Sequence, residues 1–395
     1  MTPRRIRGRL TVAGVLGLTL AGSALPTPLY GWYASEWRLS TVAMTAVFAV
    51  YPLGVLAALL TLGSLSDVVG RRPVLIGAIG LLVIVALLFM GARSITWLLA
   101  ARSLQGIATG AVLGAASAAM LDLWPLTAPR AAAVNVMAVE FGIAGGAVAA
   151  TLLVGYGPAP EMTVFALFGA LLIVAIRAIV RLPETAPPGR AVRLRPTRPE
   201  VPASVRGRFA LVAFGAVATW SVAGVYLALG PTISAEMLRM GGIVPGGLAV
   251  GLLSVAAGSA QLAMARIDVR RAAAVGTLAL AAGMALAAAS LSVGSPVLLV
   301  GSSAVVGVGF GLAFGGGIGL LAEVTPYDRR GAVMSTYYVV AYASFGLPVV
   351  AVGLVIDTLG LTRTMQYFTA AVIGVALVTG IALFCGNGRR VPSRG

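Results

Sequence analysis

A short segment between two long apolar stretches gathers charge in a chain that otherwise avoids it. The segment GSLSDVVGRRP, which begins at Gly63, carries the carboxylate of Asp67 and the guanidinium groups of Arg71 and Arg72. Gly63 and Gly70 lack a Cβ and therefore permit the sharp turn that so short a connection requires. We expect the opposite charges of this segment to form a latch, whose hydrogen-bonded contacts break and re-form as the protein changes conformation.

Partners for these charges lie far away in the sequence. The carboxylate is expected to accept hydrogen bonds from the start of the eleventh apolar stretch, and Arg71 is expected to bridge to Asp122 at the end of the fourth. Glu323 with Arg270 or Arg271 would form a similar contact in the second half of the chain. The alternative for the paired arginines at 71 and 72 is that they only orient the chain in a membrane.

Two charged residues lie within apolar stretches, where a charge is costly unless it faces a cavity or a partner. Arg102 and Glu140 are therefore candidates for proton coupling, because a carboxyl inside a span can take up a proton from one side and release it to the other. Their depths along the helices allow a direct ion pair. The structural alternatives are an arginine that bonds backbone carbonyls of the first helix and a carboxyl tied to a neighbouring helix.

Aromatic and polar side chains in the same stretches are candidates for binding a small molecule. Two asparagines and three glutamines are too few for the paired hydroxyl contacts of a sugar site, whereas an aromatic and aliphatic chamber suits lipophilic or amphiphilic compounds. Tyr30 has an alternative role as an anchor at the membrane interface. The candidate substrate-binding residues, together with Ser23, are Tyr30, Gln105, Thr109, Asn135, Trp220, Tyr226, Phe310, Phe314, Tyr338 and Tyr342.

The composition indicates which kind of protein positions these residues. Of 395 residues, 59% are hydrophobic and only 10% are charged, whereas soluble domains average about 25% charged residues. The sequence therefore predicts an all-α membrane protein, because a helix satisfies its own backbone groups within the bilayer. Twelve transmembrane helices are predicted near residues 10–31, 41–62, 73–92, 95–121, 131–155, 161–181, 208–230, 243–264, 273–292, 295–322, 332–355 and 366–385.

The arginines predict how these helices are oriented, because cytoplasmic loops are enriched in basic residues. Of the 28 basic residues, 22 fall at one side of the predicted membrane and 4 at the other. We therefore expect both termini in the cytoplasm of a bacterium and a multi-pass protein of its plasma membrane. The N-terminus resembles a signal peptide, but Pro26, Pro28 and Tyr30 continue the pattern as a helix end does, so no cleavage is expected.

Charge and composition also argue against several other functions. The net charge of +16 does not indicate nucleic-acid binding, because no basic patch is interleaved with stacking aromatic residues. The chain has no histidine and a single cysteine, Cys385, which excludes an internal disulfide and argues against a metal site. No nucleophile constellation is present either, so we expect no enzyme activity and no cofactor.

An internal repeat divides the chain into two halves. We predict a six-helix bundle over residues 1–181, a basic cytoplasmic linker over 182–207, a second six-helix bundle over 208–385 and a cytoplasmic tail over 386–395. The fourth and tenth helices match at an offset of 201 residues through glycines at every fourth position, followed by an acid and a proline. The matched residues are Gly106, Gly110, Gly114, Asp122 and Pro125 with Gly307, Gly311, Gly315, Glu323 and Pro326.

The motifs on this framework resemble those of the major facilitator superfamily over nearly the whole chain. GSLSDVVGRRP is similar to the family signature between helices 2 and 3, RSLQG at Arg102 is similar to a motif of helix 4, and LPET at 182–185 recurs after helix 6. The resemblance is to the twelve-helix drug/proton antiporters. It implies two pseudo-symmetric halves with a substrate site between them, no cofactor, and a proton gradient as the energy source.

Three interpretations of function remain open from the sequence. The first is proton-coupled efflux of a small lipophilic or amphiphilic compound by a monomer in the lipid bilayer. The second is uptake of a small metabolite by symport or facilitation, since EFGIAGGAVAA, which includes Gly142, Gly145 and Gly146, lacks the proline of the antiporter motif. The third is a membrane partner or sensor that transports nothing.

Overall fold

All regular elements in the described part of the chain are helices. The structure, a computed structural model, describes residues 3–63, 65–123, 128–185, 200–237, 244–264, 267–326 and 329–385. Short 3-10 turns cover Thr27–Leu29 and Ala203–Val205. The α-helices are α1 Pro3–Ala24, α2 Tyr30–Glu36, α3 Thr41–Leu62, α4 Leu65–Val69, α5 Arg71–Met90, α6 Ile95–Leu123, α7 Ala128–Tyr156, α8 Pro160–Val180, α9 Arg206–Met237, α10 Val244–Ala263, α11 Val269–Val293, α12 Pro296–Val324, α13 Arg330–Leu359 and α14 Leu361–Cys385.

These helices form twelve segments long and apolar enough to cross a membrane, which confirms the predicted all-α membrane fold. The first six segments, α1 to α8, make one half, and α9 to α14 make the other. Most of the predicted linker, residues 186–199, and the predicted tail lie outside the described residues. We call the end of the bundle where α1 begins and α14 ends the basic end, and the other end the opposite end.

The first membrane segment departs from the single helix predicted over residues 10–31. α1 ends at Ala24, a 3-10 turn follows, and α2 completes the segment. The cause is the pair Pro26 and Pro28, because proline has no backbone N–H to donate to the carbonyl four residues earlier. The carbonyls of Gly22 and Ala24 therefore lose their helical donors, and another part of the protein must satisfy them.

The matched glycines of α6 and α12 perform the same packing role in the two halves. A Cβ at Gly106 would overlap the carbonyl oxygen of Tyr51 on α3, and a Cβ at Gly307 would overlap the carbonyl oxygen of Leu253 on α10. Gly114, by contrast, faces open space. The first glycines of each series therefore let a neighbouring helix approach at backbone contact, as expected from the repeat.

The two halves meet along two helix pairs, α3 with α13 and α7 with α10. Their closest approaches lie toward the opposite end, where Gly353 packs against Thr45 and Gly247 packs against Thr151. At the basic end, the described residues form no ion pair or hydrogen bond between α4 or α5 and the second half. The helices of the two halves therefore approach each other most closely toward the opposite end.

Candidate functional site

A cluster of charged side chains lies at the basic end of the first half. Arg71, at the start of α5, forms ion pairs with Asp67 and, from Nε to Oδ2 over 3.2 Å, with Asp122 at the end of α6. Its Nη1 also donates to the hydroxyl of Ser66 over 2.7 Å. The structure therefore brings Arg71 and Asp122 together, as the sequence led us to expect.

Sequence reasoning missed the carboxylate that completes this cluster. Glu184 Oε1 accepts a hydrogen bond of 2.9 Å from Arg71 N, and its Oε2 accepts one of 3.0 Å from Arg72 N. These are free N–H groups of the first turn of α5, where a negative charge is stabilised. The signal was available in the LPET sequence, which places an acid just after the last helix of the first half. We call Asp67, Arg71, Asp122 and Glu184 the basic-end cluster.

Two expectations about this region are wrong in the structure. Gly63 keeps a helical φ of −54° and makes no turn that needs the backbone freedom of glycine, although a Cβ there would lie 2.6 Å from the carbonyl oxygen of Leu59; Gly70 has φ +106° and does need that freedom. The carboxylate of Asp67 pairs with Arg71 four residues later, and no hydrogen bond reaches it from α13 in the described residues.

The expected counterpart in the second half is also missing. Glu323 is exposed and forms no ion pair with Arg270 or Arg271 within the described ranges. Arg270 Nε instead donates to the carbonyl of Leu383 over 2.8 Å, and the Arg271 backbone donates to Asp268, which caps α11. The Arg270 side chain is therefore directed to the end of α14, and the printed bond of Arg271 is made by its backbone as part of the α11 cap. The described charges of the second half therefore do not copy the basic-end cluster.

Arg102 supports the broken end of the first helix. Its Nη1 donates to the carbonyl of Ser23 over 3.2 Å and to Gln105 Oε1 over 2.7 Å. Gln105 Nε2 in turn donates over 2.8 Å to the carbonyl of Gly22, which Pro26 leaves without a helical donor. The RSLQG sequence of α6 therefore supplies the hydrogen bonds that the proline break removes, and this is the structural alternative that the sequence left open.

Aromatic rings surround the same guanidinium. Arg102 is fully buried, and its Cζ lies 4.5 Å from the ring centroid of Tyr51, 5.7 Å from that of Phe48 and 5.9 Å from that of Tyr30. Such contacts stabilise a cation through the faces of the rings. Sequence reasoning did not select Phe48 or Tyr51, although their spacing of three residues places them on one face of α3.

Glu140 lies at the boundary between the two halves. Its side chain on α7 is 7% exposed, and its Oε1 accepts a hydrogen bond of 3.0 Å from Gln261 Nε2 on α10. Gln261 belongs to the last turn of α10, so the carboxyl is nearer the basic end than the midplane. Glu140 and Arg102 form no ion pair with each other, and each is held by amide or carbonyl groups instead.

A group of aromatic side chains on helices of the second half lies against the first half. Trp220 of α9 lies within 5.2–6.0 Å, between ring centroids, of four other rings on α12 and α13. One of these, Phe345, also contacts Phe48 of the first half over 5.3 Å. We call this group the aromatic chamber, and its members are Trp220, Phe310, Phe314, Tyr342 and Phe345.

The remaining candidates for substrate binding occupy different places. Tyr338 contacts Tyr342 beside the aromatic chamber, over 6.4 Å. Tyr226 lines a separate, mostly apolar cleft inside the second half. Asn135 accepts a hydrogen bond from Ser117 over 3.1 Å, which joins α7 to α6.

Tyr30 and Thr109 are both buried in the first half. Tyr30 is 5% exposed, which does not fit the alternative role of an interfacial anchor, because it packs over Arg102. The Tyr30 hydroxyl lies beside the Arg102 guanidinium and the Thr109 hydroxyl lies beside that of Tyr51, but neither makes a well-formed hydrogen bond among the described residues. Buried polar groups of this kind are available to a ligand.

The site as a whole is suited to binding and moving a molecule. It combines an aromatic chamber, a buried cation, and a carboxyl that is hydrogen-bonded across the boundary between the two halves. The described residues contain no group of three or more histidine, cysteine, aspartate or glutamate side chains that could hold a metal ion.

The family model described as Major Facilitator Superfamily matches residues 12–347. No curated protein sequence matches the chain.

Two solved structures share the overall fold. The nucleoside transporter NupG superposes with a TM-score of 0.71 and 15% identity, covering 96% of this chain and 99% of its own. The human organic anion transporter MFSD10 (TETRAN) superposes with a TM-score of 0.64 and 20% identity, covering 97% of this chain and 100% of its own.

Proposed function

The chain belongs to the Major Facilitator Superfamily of transporters, and we propose that it exports a small lipophilic or amphiphilic compound in exchange for protons. In this proposal the two halves rock about the site between them, so that it opens alternately to each side. The basic end faces the cytoplasm of a bacterium, with both termini there, and the protein acts as a monomer in the plasma membrane because one chain supplies the whole site.

The observation that carries the proton coupling is the hydrogen bond between Glu140 and Gln261. A carboxyl that is 7% exposed and bonded across the boundary between the halves changes its surroundings whenever the halves move. Its proton occupancy is therefore linked to conformation, which is what coupling requires. Arg102 is not paired with this carboxyl, so the coupling proposal rests on Glu140 alone.

The aromatic chamber supports the proposed class of compound. Trp220 and the neighbouring rings contact one another in this conformation. They offer apolar surface with few directional groups, which favours shape-tolerant binding of lipophilic molecules. The two structural neighbours are described as transporters of nucleosides and of organic anions. Both substrate classes are small organic molecules, in keeping with a chamber of this kind.

The experiment begins with a susceptibility panel of toxic lipophilic compounds on an efflux-deficient bacterial host that expresses the protein. The compound with the largest shift is then followed in inverted membrane vesicles, with and without an imposed pH gradient. We expect gradient-driven accumulation by the wild type and by Glu36→Gln, which removes an exposed acid at the opposite end. Glu140→Gln should lose uphill accumulation and keep downhill exchange at matched pH.

Two outcomes would contradict the proposal. If Glu140→Gln still concentrates the compound when only the gradient is supplied, Glu140 is structural and does not couple protons. If the wild type accumulates compounds in right-side-out vesicles instead, the direction is uptake, which is the alternative function.

A further inference from the structure

We propose that the Nε and Nη2 edge of Arg102 binds the anionic group of the transported compound, so that the preferred substrates are amphiphilic anions with an aromatic body. The inference rests on the proposed function, because it assigns a chemical class to the compound that the chamber moves. It is carried by the hydrogen bonds that the guanidinium does and does not make.

A guanidinium has five N–H groups, and the structure uses only one of its edges. Nη1 carries two of them, and these go to the carbonyl of Ser23 and to Gln105 Oε1. Nε and Nη2 are buried, and neither makes a well-formed hydrogen bond in the described part of the chain, although the Tyr30 hydroxyl lies beside the guanidinium. These three N–H groups lie on the edge that receives the two oxygens of a carboxylate in a parallel pair of hydrogen bonds, and a carboxylate is a stronger acceptor than the neutral tyrosine hydroxyl.

The charge of Arg102 is likewise not neutralised. No carboxylate forms an ion pair with it among the described residues, and the rings of Tyr51, Phe48 and Tyr30 are neutral. Rings stabilise a cation through its flat faces and leave the edge free for an anion. A buried, uncompensated positive charge repels a cationic ligand and attracts an anionic one.

The surroundings of this edge continue into the aromatic chamber. Phe48 contacts both Arg102 and, over 5.3 Å, Phe345, which in turn lies 5.7 Å from Trp220. The indole N–H of Trp220 is also buried and makes no well-formed hydrogen bond in the described residues, although the Tyr337 hydroxyl lies beside it. A carboxylate at Arg102 with an aromatic body near Trp220 therefore fits the charge, the hydrogen-bonding groups and the apolar surface together.

The test compares three probes of one shape that differ in charge: 2-naphthoate, 2-naphthamide and 2-naphthylmethylammonium. Binding to the purified full chain in detergent is measured by titration calorimetry, with protein-free micelles as the blank. We expect naphthoate to bind about 10- to 100-fold more tightly than the amide, because a charged bidentate contact is lost in the amide. The ammonium probe should bind most weakly.

Variants locate the preference at this residue. Arg102→Gln should reduce the preference for naphthoate to within about twofold, and Arg177→Gln, which removes an exposed arginine of α8, should preserve it. Gln105→Glu is the second variant for the case in which Arg102→Gln fails to fold. It retains the acceptor beside Nη1 and adds a neutralising charge, so it should also abolish the preference.

The results separate this inference from the proposed function. Equal binding of naphthoate and naphthamide to the wild type would overturn it, as would an unchanged preference in a folded Arg102→Gln or Gln105→Glu variant. Neither result bears on proton coupling or on the direction of transport, because the assay uses no membrane and no gradient. Conversely, loss of coupling at Glu140 would leave a charge preference at Arg102 intact.

Discussion

Glu184 accepts a hydrogen bond of 2.9 Å from the backbone nitrogen of Arg71, a residue 113 positions earlier in the chain. The contact ties the end of the first half to the connection between its second and third membrane segments. It also sits against Gly70, where a Cβ would lie 2.7 Å from Glu184 Oε2. The turn, the helix start and the carboxylate therefore depend on one another.

Gly70→Ala should destabilise the protein by about 1–2 kcal/mol, because a side chain at φ +106° is strained and also meets Glu184. Glu184→Ala should lower stability by about 1 kcal/mol through loss of the cap. The double variant should be less destabilised than the sum, since removing Glu184 relieves the contact. The measurement is the free energy of unfolding in detergent.

Gly360→Ala is the matched control for this pair. Gly360 also has positive φ, +76°, but nothing lies within 4 Å of a Cβ placed there. The losses in the free energy of unfolding caused by Gly360→Ala and by Glu184→Ala should add in the double variant. Additive losses for Gly70 and Glu184 as well would show that the contact between them has no energetic weight.

Arg71 and Asp122 should act as a unit in transport. Arg71→Ala and Asp122→Ala each remove the 3.2 Å contact that joins α5 to α6, so we expect each to slow transport by about threefold to tenfold. The double variant should be no slower than the slower single variant. A loss equal to the product of the two single losses would mean that the residues work separately.

Asp67→Asn should leave the protein folded and inserted but slow its transport by roughly tenfold, because we expect this exposed carboxylate to meet the second half when the basic end closes and so to stabilise that conformation. Asp67 is partly exposed, so its removal costs little stability. Transport in reconstituted vesicles and surface expression are measured together. Transport at the wild-type rate would argue that Asp67 has no part in the conformational change.

The order and number of the membrane segments were predictable, because the length and hydrophobicity of each apolar stretch are read directly from the sequence. Local exceptions have local causes: the prolines at 26 and 28 divide the first segment, and α5 begins at Arg71, two residues earlier than predicted, where Glu184 caps it. Contacts between residues that are distant in the sequence cannot be read from local composition in this way. Gln261 meets Glu140 across 121 positions, and hydrophobic periodicity cannot show which helix faces will meet.

Arg102 was identified from the sequence as an unusual residue, but the groups that it contacts were not predicted. Its position within an apolar stretch identified it as unusual, and the depth estimate allowed a pair with Glu140. The structure directs it instead to the broken end of α1, because the carbonyls freed there are nearer acceptors. That break comes from Pro26 and Pro28, which the sequence analysis treated only as the end of a helix.

The repeated glycines predict different costs for similar substitutions. Gly106→Ala and Gly307→Ala should each destabilise the fold by about 1–3 kcal/mol, because the added methyl group overlaps the backbone of a neighbouring helix. Gly114→Ala, on the same face of α6 but facing open space, should be neutral or slightly stabilising, as alanine favours a helix. Thermal unfolding of the three variants measures the difference, and equal effects at all three positions would contradict the packing argument.

A disulfide between Thr45→Cys on α3 and Gly353→Cys on α13 should lock the opposite end shut. A Cβ at Gly353 would lie 3.1 Å from Thr45 Cβ, close to the separation of about 3.5–4.5 Å that a disulfide needs. Cys385 is the only cysteine in the sequence and is exposed, so Cys385→Ser provides a clean background. If the halves separate at this end during each cycle, oxidation should stop transport and reductant should restore it. The naphthoate probe should still bind to the cross-linked protein, because the basic end stays open. Each single-cysteine variant should be unaffected by oxidant, and continued transport by the fully cross-linked protein would show that these two helices do not part.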